Sequence, residues 1–229
     1  FLQETVDEHF GFSRYAEHLG RSASSFDELN AELAKPLTFT DHYLIRLLAG
    51  RMKEYRPEVV AITVPFPGNL YSALRCGEWI KVNYPEVTVV MGGGFANTEL
   101  RSLTDVRFFR FTDYLLLDDG ELPLWRLFEH VTGQIGDSDL VRTFCLRGGK
   151  VKFLNDESAV IIPQKEVGVP DYSGLLLDRY VSVIEIVNPM HKLWSDGRWN
   201  KLTLAHGCYW GKCSFCDGSL DYIRRYEPN

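Results

Sequence analysis

Apolar positions change their spacing as the chain is read from its start, and each change predicts an element. Residues 1–56 are polar, with apolar positions at helical spacing. Ser25 and Glu28 stand at capping-box spacing ahead of Phe26, Leu29 and Leu33, and Pro36 closes that segment. A second helix is expected from Thr40 or Asp41, with Leu44, Leu47 and Leu48 on one face; Gly50 weakens it and Pro57 limits it. The run Val59-Val60-Ala61-Ile62-Thr63-Val64 is continuously apolar and rich in β-branched residues, as in a strand buried on both faces. Pro65-Phe66-Pro67-Gly68-Asn69 predicts a loop. A helix over 70–83 follows, with Leu70, Ala73, Leu74, Gly77 and Ile80 as its stripe. A second strand over 87–91 ends in Gly92-Gly93-Gly94, and a short helix is expected around Leu100. A third strand over 114–117 ends in Asp118-Asp119-Gly120-Glu121. Leu124, Leu127, Phe128 and Val131 then mark a helix by their i, i+3, i+4 and i+7 spacing.

Strand, loop and helix repeated in this order predict an α/β fold, a doubly wound parallel (Rossmann-like) sheet with helices on both faces. Such sheets bind ligands at the carboxyl ends of their strands, here 65–69, 92–94 and 118–121. Residues 1–56 offer no good strand, so a first strand is expected upstream of Phe1. After Gly133 the pattern changes. Residues 141–146 and 150–154 flank Arg147-Gly148-Gly149 as a hairpin, and 155–200 read as a linker. Lys201-Leu202-Thr203-Leu204-Ala205 predicts a strand that runs into a cysteine cluster. The expected organisation is a helical segment over 1–56, a Rossmann-like domain over 57–135, a hairpin and linker over 136–200, and the start of a further domain over 201–229.

Composition narrows the function classes. The 229 residues are 45% hydrophobic and 24% charged, which excludes a disordered or collagen-like chain. Lysine and arginine total 25 against 31 aspartate and glutamate, a net charge of −6. The chain as a whole therefore has no attraction for nucleic acid or an anionic membrane. No apolar run approaches the roughly 18–20 residues of a membrane span, and no secretory leader pattern opens the chain. It begins with Phe1, not methionine, and reads as part of a longer product. Five cysteines are an odd number, and three of them fall within nine residues. That usage fits a reducing compartment, the cytoplasm, and a metal site rather than a disulfide scaffold.

The cluster is His206-Gly207-Cys208-Tyr209-Trp210-Gly211-Lys212-Cys213-Ser214-Phe215-Cys216-Asp217, with C-x4-C-x2-C spacing. Three neighbouring thiolates suit an iron–sulfur centre or zinc. A plant-type [2Fe–2S] site shares the spacing but needs a fourth cysteine beyond the run, and none follows Cys216. A structural zinc site completed by His206 or a distant cysteine stays open, as does a group of thiols that merely pack. A [4Fe–4S] cluster on Cys208, Cys213 and Cys216 would leave one iron open to a small molecule, which catalysis needs and closed structural sites lack.

This segment resembles the cluster loop of radical S-adenosylmethionine enzymes, in which the loop follows the first strand of a (β/α) barrel and an aromatic residue, here Phe215, precedes the last cysteine. The family pattern has three residues in the first gap where this chain has four. Upstream, Val64-Pro65-Phe66-Pro67-Gly68-Asn69-Leu70, Met91-Gly92-Gly93-Gly94 and Asp118-Asp119-Gly120-Glu121-Leu122-Pro123-Leu124 look like the cobalamin-binding Rossmann-like domain that precedes the barrel in cobalamin-dependent members. The resemblance covers about 57–133 and 165–229. It implies cobalamin contacts from Pro65, Phe66, Pro67, Gly68, Asn69, Gly92, Gly93, Gly94, Asp118, Gly120 and Glu121, and a contact to S-adenosylmethionine from Phe215. The Asp-x-His-x-x-Gly motif that supplies histidine to cobalt in many cobalamin proteins is absent; Asp7-Glu8-His9-Phe10-Gly11 is one residue short.

For the parent protein the resemblance implies reductive cleavage of S-adenosylmethionine to a 5′-deoxyadenosyl radical, in the service of methyl transfer or a rearrangement. The implied partners are an electron donor and a substrate, a small molecule or one of a class the chain does not name. Only 13 residues follow Cys216, whereas a full barrel takes about 200 or more. The expectation is thus an N-terminal portion, not active alone. A non-catalytic cobalamin- or ligand-binding module and a zinc-stabilised interaction domain remain as alternatives. So does a dinucleotide cradle at Gly92-Gly93-Gly94, although the run is not G-x-G-x-x-G. Cys76 and Cys145 read as packing residues, His42, His130 and His191 as surface or capping histidines, and Tyr209 and Trp210 as shields or packing around the loop.

Overall fold

The three apolar runs form three parallel strands, β1 (Val59–Thr63), β2 (Thr88–Gly92) and β3 (Tyr114–Leu116). The structure, a computed structural model, describes residues 25–169, 171, 173–175, 204–212, 214 and 216–228. The helical reading of 1–24, the linker over 176–200, strand residues 201–203, His191, Cys213 and Phe215 all lie outside the described residues. The chain divides into two units, Phe1–Val160 and Ile161–Asn229.

In the first unit, the polar start contains two helices, α1 (Asp27–Leu33) and α2 (Phe39–Tyr55). The capping box expected at Ser25 does not form. Ser25 Oγ accepts from the Asp27 N–H at 3.1 Å, and α1 has no side-chain cap. The box forms at α2 instead. The Thr38 hydroxyl accepts from the Asp41 N–H at 3.2 Å, and the Asp41 carboxylate accepts from the Thr38 N–H at 3.1 Å. Of the expected leucine trio, Leu47 is exposed and Leu44 half-buried, whereas Leu48 packs on the core beside Met52; the inner face of α2 also buries Asp41.

Helix α3 (Pro67–Asn83) connects β1 to β2. It starts three residues earlier than expected because Pro67 occupies the first turn, where its missing N–H costs nothing and its φ suits a helix. The expected 65–69 loop is therefore short, and Pro67, Gly68 and Asn69 are helical. Helix α4 (Gly94–Glu99) and a 3₁₀ turn (Val106–Arg110) connect β2 to β3, and α5 (Glu121–Val131) follows β3. The hairpin strands β4 (Thr143–Arg147) and β5 (Lys150–Leu154) turn at Gly148 and Gly149, both at positive φ as a two-residue turn requires.

The sheet is mixed, which corrects the all-parallel expectation. Its order is β1-β2-β3-β4-β5, and the hairpin is no appendage: β4 pairs antiparallel with β3. The described strands follow chain order without the reversal that marks a switch point. Period-two alternation assigns the faces. Met91, Leu115 and Phe144 pack with Leu70, Ala73 and Leu74 of α3 and with Phe95, Phe108 and Phe111. Val90, Tyr114, Leu116 and Cys145 pack with Leu127 of α5 and with Leu140. At about 1.5–3 kcal/mol for each fully buried large apolar side chain, these two layers are the main stabilising term. Strand β1 departs from expectation: Ala61 and Thr63 are exposed, so it is an edge strand with one open face. No described helix is long and apolar enough to cross a membrane.

In the second unit, β6 (Ala205–His206) pairs antiparallel with β7 (Glu227–Pro228), and a single helical turn, α6 (Asp221–Arg224), precedes β7. The cysteine run leaves β6 directly, as expected.

Candidate functional site

The carboxyl ends of β1–β3 open into a cavity of about 300 Å³. Ala61, Thr63 and Val90 form part of its floor, and Leu124 of α5 stands at one wall. Of the residues assigned to cobalamin by resemblance, Gly92, Gly93, Asp118, Gly120 and Glu121 line the cavity. Pro65, Phe66, Pro67, Gly68, Asn69 and Gly94 do not. A larger hollow of about 650 Å³ lies at the amino ends, against Met52, Arg56, Tyr84 and Val87. Its charged residues, Lys53, Arg56, Glu58 and Glu86, are all exposed and solvated, and it sits at the wrong end of a parallel sheet for a ligand site.

The glycine run is dictated by close packing. A Cβ on Gly93 would sit 2.9 Å from the Val64 carbonyl oxygen, and one on Gly94 would sit 2.9 Å from that of Pro65. The β1–α3 and β2–α4 connections approach too closely there for any side chain. Glu121 opens α5 behind Gly120, where its charge complements the helix dipole.

Asp118 is the most constrained residue at the cavity. Its φ is +64°, rare for a residue with a side chain. Its N–H donates to Asn97 Oδ1 at 2.6 Å, and Asn97 Nδ2 donates back to its carbonyl at 3.4 Å. Its carboxylate pairs with Arg101 and lies 3.8 Å from Arg142 Nη1. Arg142 also has positive φ, at 47°, and its N–H donates to Asn155 Oδ1 at 3.1 Å. Sequence reasoning missed Asn97, Arg101 and Arg142, whose partners lie 21, 17 and 24 residues away (118 − 97, 118 − 101 and 142 − 118). Among the described residues no histidine lines the cavity.

The cysteine loop is held at its base. The Cys208 N–H donates to the Ile223 carbonyl at 2.9 Å. Gly207 presses so closely on the chain that a Cβ there would fall 1.7 Å from the Arg225 carbonyl oxygen. Glu227, opposite His206 across β6–β7, accepts from the Gln164 N–H at 2.6 Å and pairs with Arg225 Nε at 2.7 Å. His206 therefore sits in a strand pair. Cys208 Sγ accepts from the Gly211 N–H at 3.4 Å. Cys208 is half-buried, Cys216 is exposed, and neither is in a disulfide. Tyr209 and Trp210 are exposed; Tyr209 meets the edge of Tyr226, and Lys212 Nζ lies 5.9 Å from the centre of the Trp210 ring. Among the described residues no group of three histidine, cysteine, aspartate or glutamate side chains is arranged to hold a metal ion. Cys213, the middle thiol of the run, lies outside them.

The other cysteines differ chemically. Burial pushes the Cys76 thiol up to about 11, and burial also raises that of Cys145, which is fully enclosed. A thiol held protonated does not react, because the thiolate is the nucleophile. Brief alkylation of the metal-free native protein with iodoacetamide at mildly alkaline pH is therefore expected to mark Cys208 and Cys216 and spare Cys76 and Cys145 until denaturant is added. Peptide mass mapping reads the result, and equal labelling of Cys76 and Cys216 would contradict it.

Compared with known proteins, the chain matches no family model, and a search of curated proteins finds no match.

Proposed function

We propose that this chain is the N-terminal part of a cobalamin-dependent radical S-adenosylmethionine enzyme, comprising its corrinoid-type α/β unit and its iron–sulfur loop. The observation that carries the reading is the C-x4-C-x2-C run leaving a strand, with Cys208 and Cys216 free of disulfides and reachable from solvent. The donor chemistry fits an iron–sulfur cluster: thiolates are its usual ligands, and Cys208, Cys213 and Cys216 would hold it, with Phe215 beside the bound S-adenosylmethionine. Such a cluster supplies the electron that opens S-adenosylmethionine to a 5′-deoxyadenosyl radical. The protein's share is to hold the three thiolates and leave one metal position open.

The strand-end cavity supports a ligand site in the first unit. Its apolar floor suits one face of a flat ring system, and the Asp118 carboxyl offers oxygen acceptors for amide or hydroxyl donors at the ligand edge. None of the described lining residues is a histidine, so none of them would supply an imidazole to a cobalamin held there. Methyl transfer and rearrangement are both consistent with these residues, and none of them selects a substrate.

Anaerobic reconstitution with ferrous iron and sulfide tests the reading. The chain is expected to bind iron and acid-labile sulfide in equal amounts, with a broad visible band that bleaches on reduction. Substituting Ser for Cys208, Cys213 or Cys216 singly is expected to abolish it. Stoichiometric zinc without labile sulfide would overturn the iron reading in favour of a zinc-stabilised interaction module. Retention of hydroxocobalamin through desalting tests the first unit separately.

A further inference from the structure

We propose that the backbone N–H of Gly211 is a built-in hydrogen-bond donor that raises the reduction potential of the iron–sulfur centre on Cys208. The inference rests on the iron reading above and goes beyond it, because it concerns a residue inside the four-residue gap between Cys208 and Cys213.

The donor and the acceptor are fixed by different parts of the second unit. The acceptor side is anchored from below: the Cys208 N–H bonds to the Ile223 carbonyl, and the preceding Gly207 lies hard against the Arg225 carbonyl. On the donor side, Gly211 sits at φ +58°, in the left-handed region. In that turn the amide points back at the sulfur, 3.4 Å away. The contact therefore needs no metal to form it. A Cβ on Gly211 would meet nothing closer than the Cys208 carbonyl oxygen at 4.0 Å, so packing does not explain the glycine. The conformation does.

Physically, an electron added to the centre increases the negative charge on its sulfur ligands. An N–H aimed at one of those sulfurs stabilises the reduced form more than the oxidised form and moves the potential up. Rotating the amide away should move it down.

Two variants of the full chain separate this from a general effect of substitution. Gly211→Asn introduces a side chain that tolerates positive φ and keeps the N–H in place. Gly211→Val introduces a β-branched residue that disfavours positive φ and turns the N–H away. After anaerobic reconstitution, a redox titration followed by electron paramagnetic resonance is expected to show the wild-type potential for Gly211→Asn. For Gly211→Val the ratio of reduced to oxidised centre at a fixed poise is expected to fall about tenfold, about 59 mV for a one-electron couple. A second measurement needs no perturbed loop. With ¹⁵N-glycine labelling, the reduced wild-type centre should show a hyperfine coupling to a labelled nitrogen, and Gly211→Asn, whose donor nitrogen is unlabelled, should lose it. A coupling that persists in Gly211→Asn, or an iron-loaded Gly211→Val at the wild-type potential, overturns the inference and leaves the iron site standing. A wild-type chain that takes up no iron and sulfide removes both. Should Gly211→Val fail to load, the labelling experiment still decides.

Discussion

Replacing Gly77 by alanine is expected to destabilise the first unit by about 3 kcal/mol or more, at the upper end of overpacking costs. Gly77 lies on the buried face of α3, and a Cβ there would come 2.0 Å from the Phe111 carbonyl oxygen and 3.1 Å from Met91 Cε. The methionine tip can move, but the carbonyl cannot. The Phe111 N–H bonds to the Phe108 carbonyl at 3.1 Å, its ring is fully buried, and the next residue, Thr112, bonds through its hydroxyl to the Val89 and Tyr114 carbonyls at 3.0 and 2.9 Å. Alanine is the better helix former by about 1 kcal/mol, so intrinsic propensity opposes the clash and loses. Gly50→Ala is the control. Gly50 is an exposed residue of α2 with nothing within 4 Å of its Cβ position. That substitution should stabilise by about 0.5–1 kcal/mol. Urea midpoints of the two variants should therefore move in opposite directions, and a neutral Gly77→Ala would refute the packing described for α3.

Arg75→Ala is expected to cost about 3–5 kcal/mol, the range for removing one member of a buried ion pair. Arg75 is 3% exposed, and its Nε lies 3.4 Å from the carboxylate of Asp41, which is equally buried. Its guanidinium donates to the Leu33 carbonyl at 2.6 Å and the Lys35 carbonyl at 3.2 Å, so it also satisfies the end of α1. Tyr71 completes the group: its hydroxyl donates to Asp41 at 2.9 Å and accepts from Arg75 Nε at 2.9 Å, and burial pushes it up to about 12. Alanine leaves the Asp41 charge and the α1 carbonyls without their cation. Removing both charges with Arg75→Met and Asp41→Asn together should cost clearly less than the sum of the two single changes, because neither charge is then left alone. Additive losses in chemical denaturation would mean that the two charges do not act as one unit.

These two sites show where sequence reading succeeds and where it stops. The β-branched runs at Val59 and Val87, the Gly148-Gly149 turn and the apolar spacing of α5 are local signals, and the elements lie within a residue or two of where those signals put them. The faces of β2 and β3 follow from period two alone. Spacing alone does not separate the two helix starts, because Ser25 and Thr38 each stand three residues before an acidic side chain. Thr38 forms the box, on an Asp41 that Arg75 also holds from 34 residues away (75 − 41), and that pairing is not visible locally. The same holds for Asp118. Its strand-end position could be read from the chain, but its left-handed backbone and its contacts to Asn97, Arg101 and Arg142 arise only when three connections meet. The cysteine spacing was legible as metal chemistry, whereas the anchoring of Cys208 by Ile223 required knowing that the chain turns back after Asp217.

The two margins of the sheet are unequal. At one, β5 presents Lys150 and Lys152 to solvent, charges that discourage another backbone from zipping alongside. At the other, β1 reads Val-Val-Ala-Ile-Thr, with no charge and no proline, and no described strand pairs with its outer side. The layer is thus finished on one border and receptive on the other. A further ribbon would meet the less guarded backbone edge at Val59–Thr63 and, lying in the plane of the sheet, would leave the cavity face of Ala61 and Thr63 open.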